Sequence, residues 1–274
     1  LIIYGYLADV SVGRLFLAGV VPGLLLAGSL LATTWFIARR RGYAPVRPRF
    51  VGVAEVARAA KDAVWALLIP VFIIVGLRYG VFTATEAGAI TVFVTAAIGA
   101  FVYRELTWAK VPGVLREAVL DTASVMLLIC AASAFGFYLA WERLPPAMAN
   151  WMVGLTSDPT LLLLLVNALL IVLGTAVEGT AALIILTPIF VPVVLKFGID
   201  PVHFGIVLVT NLTIAGITPP VGQMMFIACA VLRVPMEVYT VEILPFLAAM
   251  CVVLGVITFV PQVSLLLPNL VMGR

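Results

Sequence analysis

Long apolar runs separated by short polar breaks dominate the chain, at a period too long for strands. Crossing a hydrocarbon core takes about 20 apolar residues per helix. The pattern predicts that residues 1–8 are the end of a helix and that Asp9 to Gly13 form a polar break. A first full span is then expected over 15–38. An interfacial helix follows over 50–64, where Glu55, Arg58, Lys61 and Asp62 recur at helical spacing among Val, Ala and Trp. Further spans are expected at about 64–82, 84–103 and 118–140, with the stretch WERLPP closing the last and a short segment resuming over 147–154.

Past residue 140 the runs are interrupted. Apolar residues 159–177 meet Glu178, Gly179 and Thr180, then resume over 181–197 with Pro188 and Pro192 inside. Two arms around a polar, glycine-containing break predict a re-entrant hairpin with its tip at 175–180; two ordinary spans with a turn at Glu178 is the alternative. Residues 202–232 carry a sharper break, Gly216-Ile217-Thr218-Pro219-Pro220-Val221-Gly222. Consecutive prolines remove two N–H donors and push the preceding residue out of the α region. Unwound backbone at membrane depth survives only inside protein or beside a cavity. A last span is expected at about 240–265.

Composition sharpens this picture. Of 274 residues, 64% are hydrophobic and 11% charged, against roughly 45–50% and 25% in a soluble domain. This excludes a water-soluble enzyme, a disordered tail and a disulfide-rich module. Cys130, Cys229 and Cys251 lie in apolar runs without paired spacing and read as small core residues. A net charge of +3 is too small and too dispersed for nucleic acid. The basic residues also orient the chain. With Arg39, Arg40, Arg41, Arg47 and Arg49 on the cytoplasmic side, eleven of the sixteen Lys and Arg fall inside and five outside. Trp35, Trp65, Trp108, Trp141 and Trp151 sit mostly near segment ends, as interfacial anchors do.

Candidate chemistry is sparse. Glu178 is the most informative acid, because a charge at membrane depth is costly and calls for a partner, a proton or an ion path. Glu86, after Thr83 and Thr85, reads as a helix-start acid. His203, beside Asp200 and Pro201, reads as capping or packing, and Asp121 with Thr122 as a cap. No catalytic residue set, metal-ligand cluster or phosphate-binding loop is visible. A solute carrier driven by an ion gradient is therefore expected, with no enzyme activity, no cofactor and no metal beyond a coupling ion. A membrane-embedded enzyme would need His203 or Asp121 to matter.

The stretch GTAVEGTAALIILTPIFVPVVLKFGIDPVHFGIVLVTNLTIAGITPPVG at 174–222 resembles the large membrane (M) subunit of TRAP transporters, the tripartite ATP-independent periplasmic transporters. So do LFLAGVVPGLLLAGSLLATTWFIARRRGY at 15–43, GVFTATEAGAITV at 80–92 and PFLAAMCVVLGVITFVPQVSLLLPNLV at 245–271. The resemblance implies an all-α polytopic membrane protein of elevator type, similar to the ion-transporter superfamily, with a re-entrant hairpin (159–197) and a broken transmembrane helix (202–232). Residues 1–14 would end a truncated first repeat. Scaffold-type helices would fill 15–117, with the Arg-rich loop and amphipathic arm at 39–64. A transport-type part would occupy 118–232, and a final helix and outer tail 233–274. The first repeat would supply the other hairpin and half of the pocket, so this chain alone is expected not to transport.

The same resemblance implies sodium-coupled import of small organic anions, of the dicarboxylate, sialic acid or keto acid class, at a bacterial inner membrane. Partners would be a periplasmic substrate-binding protein, a small four-helix membrane subunit and membrane lipid. The Arg39–Arg49 loop would be cytoplasmic and the C-terminus periplasmic. By position, Thr175, Glu178, Gly179, Gly216, Thr218, Pro219 and Val221 would hold sodium. Thr180, Asn211, Thr213, Pro220 and Gly222 would line the substrate pocket. The family commonly has Asp where Glu178 stands, one methylene shorter. Two alternatives remain: a sodium- or proton-coupled anion symporter working without a binding protein, and a non-transporting structural subunit.

Overall fold

The computed structural model describes residues 1–43, 52–79, 81–143, 147, 150, 151, 154 and 156–273. Arg47 and Arg49 of the basic loop, Gly80, half of the segment expected over 147–154, and Arg274 lie outside the described residues. Within them all regular structure is helical. In chain order the helices are α1 (Ile2–Leu7), α2 (Val12–Arg40), α3 (Val53–Arg78), α4 (Ala84–Ala97) continued by a π-helical turn (Ile98–Val102), α5 (Val111–Trp141), α6 (Pro159–Ala176), α7 (Gly179–Lys196), α8 (Pro201–Ile217), α9 (Gln223–Leu232), α10 (Met236–Phe259) and α11 (Gln262–Met272). Six helices among the described residues are long and apolar enough to cross a membrane, and a bent pair in α3 would make a seventh.

Two compact units divide the chain, one formed by Leu1–Phe36 with Met126–Arg274 and one by Ile37–Val125. In the smaller, α3 packs on α4. The expected interfacial helix and the span after it form one helix, bent by 55° between Val53–Lys61 and Ala63–Gly76. Thr83 caps α4, and the Glu86 carboxylate accepts from the Thr83 backbone N–H at 2.7 Å. This reciprocal capping box is the helix-start role read for Glu86.

The expected cap at Asp121 and Thr122 is corrected. Both lie in the interior of α5, and the Thr122 hydroxyl donates to the Ala118 carbonyl at 2.7 Å. Pro112 falls in the first turn of α5, where no N–H is needed, so the helix starts at Val111, ahead of the span expected from about 118. The expected last span is also divided. Pro261 biases Val260 away from helical backbone, α10 stops at Phe259, and α11 starts at Gln262.

In the larger unit α8 is the axis, packed against α6, α7, α9, α10 and α11. It is apolar around its whole circumference, as a fully enclosed helix must be; Phe204, Val207 and Leu208 have no exposed surface. Asp200 caps it, with its Oδ1 accepting from the Val202 N–H at 2.7 Å, and Pro201 occupies the first position. The Tyr4 hydroxyl of α1 donates to the Pro201 carbonyl at 2.6 Å, and its ring lies directly over Gly205. His203 is a buried packing residue, its Nδ1 2.8 Å from Ser264 Oγ of α11.

Close approach and a polar ladder fix α6 on α8. A Cβ on Gly174 would lie 2.6 Å from the Ala215 Cβ, so glycine lets the two backbones meet. Deeper in the same interface, Asn211 Nδ2 donates to the Asn167 backbone carbonyl at 3.0 Å and to its Oδ1 at 2.8 Å. Asn167 Nδ2 in turn donates to Thr258 Oγ1 of α10 at 2.9 Å, and that hydroxyl donates to the Leu254 carbonyl. Interhelical hydrogen bonds in membrane proteins average about 0.6 kcal/mol each. The ladder therefore sets register more than it sets stability.

Candidate functional site

The site is built from two interruptions on neighbouring helices. At the first, α6 ends at Ala176, Val177 is extended, and α7 starts after Glu178. Glu178 caps α7 with both oxygens: Oε1 accepts from the Thr180 N–H at 2.8 Å and Oε2 from the Ala181 N–H at 2.7 Å. A carboxylate at this end also meets the positive pole of the helix dipole. The acid that stood out in the sequence is thus held by backbone donors. Each arm has 18 residues, about 27 Å of helix, and each is long and apolar enough to cross a membrane.

At the second interruption α8 ends at Ile217 and α9 begins at Gln223. Thr218 is extended, with its N–H donating to the Ala215 carbonyl at 3.0 Å and its hydroxyl to the Ile214 carbonyl at 2.7 Å. The Pro219–Pro220 peptide is cis. Gly222 starts α9 without a side-chain cap. A Cβ on Gly222 would sit 2.8 Å from the Thr218 carbonyl oxygen and 2.9 Å from that of Gly216. Two carbonyl oxygens therefore converge on one small volume beside the bare N-terminus of α9.

A cavity of about 220 Å³ lies between the hairpin tip and the helices that flank the second break. Glu178, Gly179 and Thr180 from the tip share its wall with Thr213 of α8 and Met224 of α9. Gly216 is outside its lining but close to one wall residue, since its Cβ would meet the Met224 side chain at 3.8 Å. The remaining sequence candidates are placed elsewhere. The Thr175 hydroxyl turns back to the Val172 carbonyl at 2.8 Å. Pro220 and Val221 are exposed at the apex of the break, and Pro219 is half-buried there. Asn211 is completely buried and points into the ladder with Asn167. Sequence reasoning missed Asn167 and Met224. A lone asparagine in an otherwise apolar run was the available signal for the first; nothing local marked the second.

An uncapped first turn of α7 should be measurably weaker. Replacing an N-cap acceptor by alanine costs about 1 kcal/mol, so Glu178→Ala is expected to lower the thermal midpoint, while Glu178→Asp, which can still cap, recovers most of it. Equal midpoints for wild type and Glu178→Ala in the full-length permease would contradict the capping role.

An all-helical chain with six or seven candidate spans, one of its buried helices broken beside a hairpin, is a polytopic membrane protein. A family model described as "Tripartite ATP-independent periplasmic transporter, DctM component" matches residues 1–263, and the chain belongs to that family. It is 40% identical over 273 residues to a sialic acid TRAP transporter large permease protein of Vibrio cholerae, covering 100% of this chain and 64% of the relative. It is 39% identical over 269 residues to a C4-dicarboxylate TRAP transporter large permease protein of Pseudomonas aeruginosa, covering 98% and 62%. An isethionate TRAP transporter permease protein of Oleidesulfovibrio alaskensis is 40% identical over 265 residues, covering 96% and 41%. The chain thus spans between 41% and 64% of the length of these relatives.

Proposed function

We propose that the chain is the C-terminal part of the permease subunit of a sodium-coupled secondary transporter that imports small organic anions across a bacterial inner membrane. The cavity where the hairpin tip meets the broken helix carries this reading. Unwound backbone at such a break supplies carbonyl oxygens to a cation, and the resuming half-helix turns its positive end to an anion. Gly216 and Thr218 offer the carbonyls, with Glu178 and Gly179 of the tip on the sodium side. Thr180 and Thr213 face the substrate, and Asn211 acts through the register it gives α8. The relatives carry sialic acid, C4-dicarboxylates and isethionate in their names, all of them small organic anions.

In this reading residues 159–197 form a re-entrant hairpin that moves with the broken helix as one body, in an elevator cycle against a scaffold. A periplasmic binding protein delivers the anion, and a small four-helix subunit completes the membrane complex. The Arg39–Arg49 loop faces the cytoplasm and the C-terminus the periplasm.

Thermal unfolding of the full-length complex in NaCl against KCl at constant ionic strength tests the proposal. A ligand bound only by the folded state stabilises it by RT ln(1 + [L]/Kd), about 1.4 kcal/mol at ten times Kd. Sodium is expected to raise the midpoint in wild type, and the rise should shrink in Thr218→Val and Gly179→Leu. Coincident curves in the two salts would remove saturable sodium binding.

A further inference from the structure

The strongest charge concentration in the chain lies outside the cavity, around the start of α3. Residues 39–62 hold Arg39, Arg40, Arg41, Arg47, Arg49, Arg58 and Lys61 against only Glu55 and Asp62, a net of +5 in a chain whose total is +3. The arm Val53–Lys61 leaves the rest of α3 at 55°, and every residue in it is exposed. At 100° per residue Val53, Val56, Ala57 and Ala60 share one face, Arg58 lies towards the other with Glu55, and Lys61 flanks the apolar face. The two valines of the apolar face are 78% and 52% exposed. An amphipathic helix with short apolar residues on one side and cations beside and opposite them suits a membrane surface.

We propose that this arm is a binding site for anionic phospholipid headgroups, with Arg58 and Lys61 on the phosphate layer and Val53, Val56, Ala57 and Ala60 at the acyl boundary. Charge complementarity selects the occupant: a basic segment next to a span attracts anionic lipid, and the attraction falls off within a Debye length. The short side chains of the apolar face bury too little area to hold the arm unaided, so the cations supply the selectivity. The inference rests on the reading above that puts the Arg39–Arg49 loop at the cytoplasmic surface.

The test uses the full-length permease complex in detergent, with Cys130, Cys229 and Cys251 changed to alanine and a bimane fluorophore attached through Ala60→Cys. Short-chain phosphatidylglycerol is titrated against phosphatidylcholine of equal chain length, following the shift of the fluorophore to an apolar environment. Wild type should respond at much lower phosphatidylglycerol concentration. Each surface cation contributes about fivefold, so Arg58→Gln with Lys61→Gln should raise that midpoint by roughly 30-fold, towards the phosphatidylcholine value. Raised NaCl should do the same to wild type. Equal midpoints for the two lipids in wild type, or a midpoint untouched by the double substitution, would overturn the proposal. Labelling of position 60 by a membrane-impermeant thiol reagent is read separately in right-side-out and inverted vesicles. Reaction from the outer face only would overturn the orientation, and a headgroup preference surviving that result would show which of the two readings had failed.

Discussion

Gly222→Ala is expected to abolish uptake by the full-length transporter while leaving it inserted in the membrane. The added methyl would lie 2.8 Å from the Thr218 carbonyl oxygen, 2.9 Å from that of Gly216 and 3.1 Å from the Thr218 nitrogen. All three are backbone atoms, of the last turn of α8 and the unwound segment after it, so no side-chain rotation relieves the contact. Overpacking costs about 1–3 kcal/mol, and contact with fixed backbone places this site near the upper end. At about 1.4 kcal/mol per factor of ten, about 3 kcal/mol lowers the population of the intact break roughly 100-fold. Gly216→Ala is the internal comparison. Its methyl meets only the Met224 side chain, at 3.8 Å, and should be far milder. Initial uptake rates in proteoliposomes, with sodium-dependent thermal midpoints on the same preparations, decide the matter. Wild-type rates for Gly222→Ala would mean that the carbonyl cluster is not needed.

The second large effect is expected at the seam between α6 and α8. Gly174→Ala would set one methyl 2.6 Å from the Ala215 Cβ and 3.1 Å from Leu212 Cδ2, forcing the hairpin arm away from the broken helix. A loss of about 2 kcal/mol is expected, several times what one Asn–Asn bond contributes here. Ala215→Gly removes the opposing methyl, so Gly174→Ala with Ala215→Gly should recover most of the lost midpoint. A double-mutant cycle on the thermal midpoint of the full-length permease measures that coupling. Additive losses would show that the two positions do not share one contact.

Local patterning made the elements readable, and long-range contacts hid their pairing. The interruptions at 177–178 and 218–222 follow from composition and proline chemistry, and the first span and the two arms after residue 158 fall within a few residues of the expected positions. The span expected from about 118 starts instead at Val111, with Pro112 in a first turn that lacks no needed N–H. The partner of Asn211 is 44 residues away in Asn167, and that of His203 is 61 away in Ser264. No periodicity encodes which of several apolar faces will meet. Glu178, Gly179, Thr180 and Thr213 line one cavity, which the polar residues beside the breaks made a reasonable place to look. Asn211 turned to the interior because the last turns of α8 bury nearly their whole circumference.

The seat of Tyr4 has a consequence for how the chain is made. The hydroxyl and the Pro201 carbonyl that accepts from it are 197 residues apart, and the whole Ile37–Val125 unit is synthesised between them. At about 5–20 residues per second, α1 waits roughly 10–40 s on the ribosome before its partner exists. Meanwhile α6, α7 and α8 follow one another directly and can join as soon as they emerge. The order of assembly is thus written into the connectivity: the cavity-bearing helices close first, and α1, made before them, is among the last to dock.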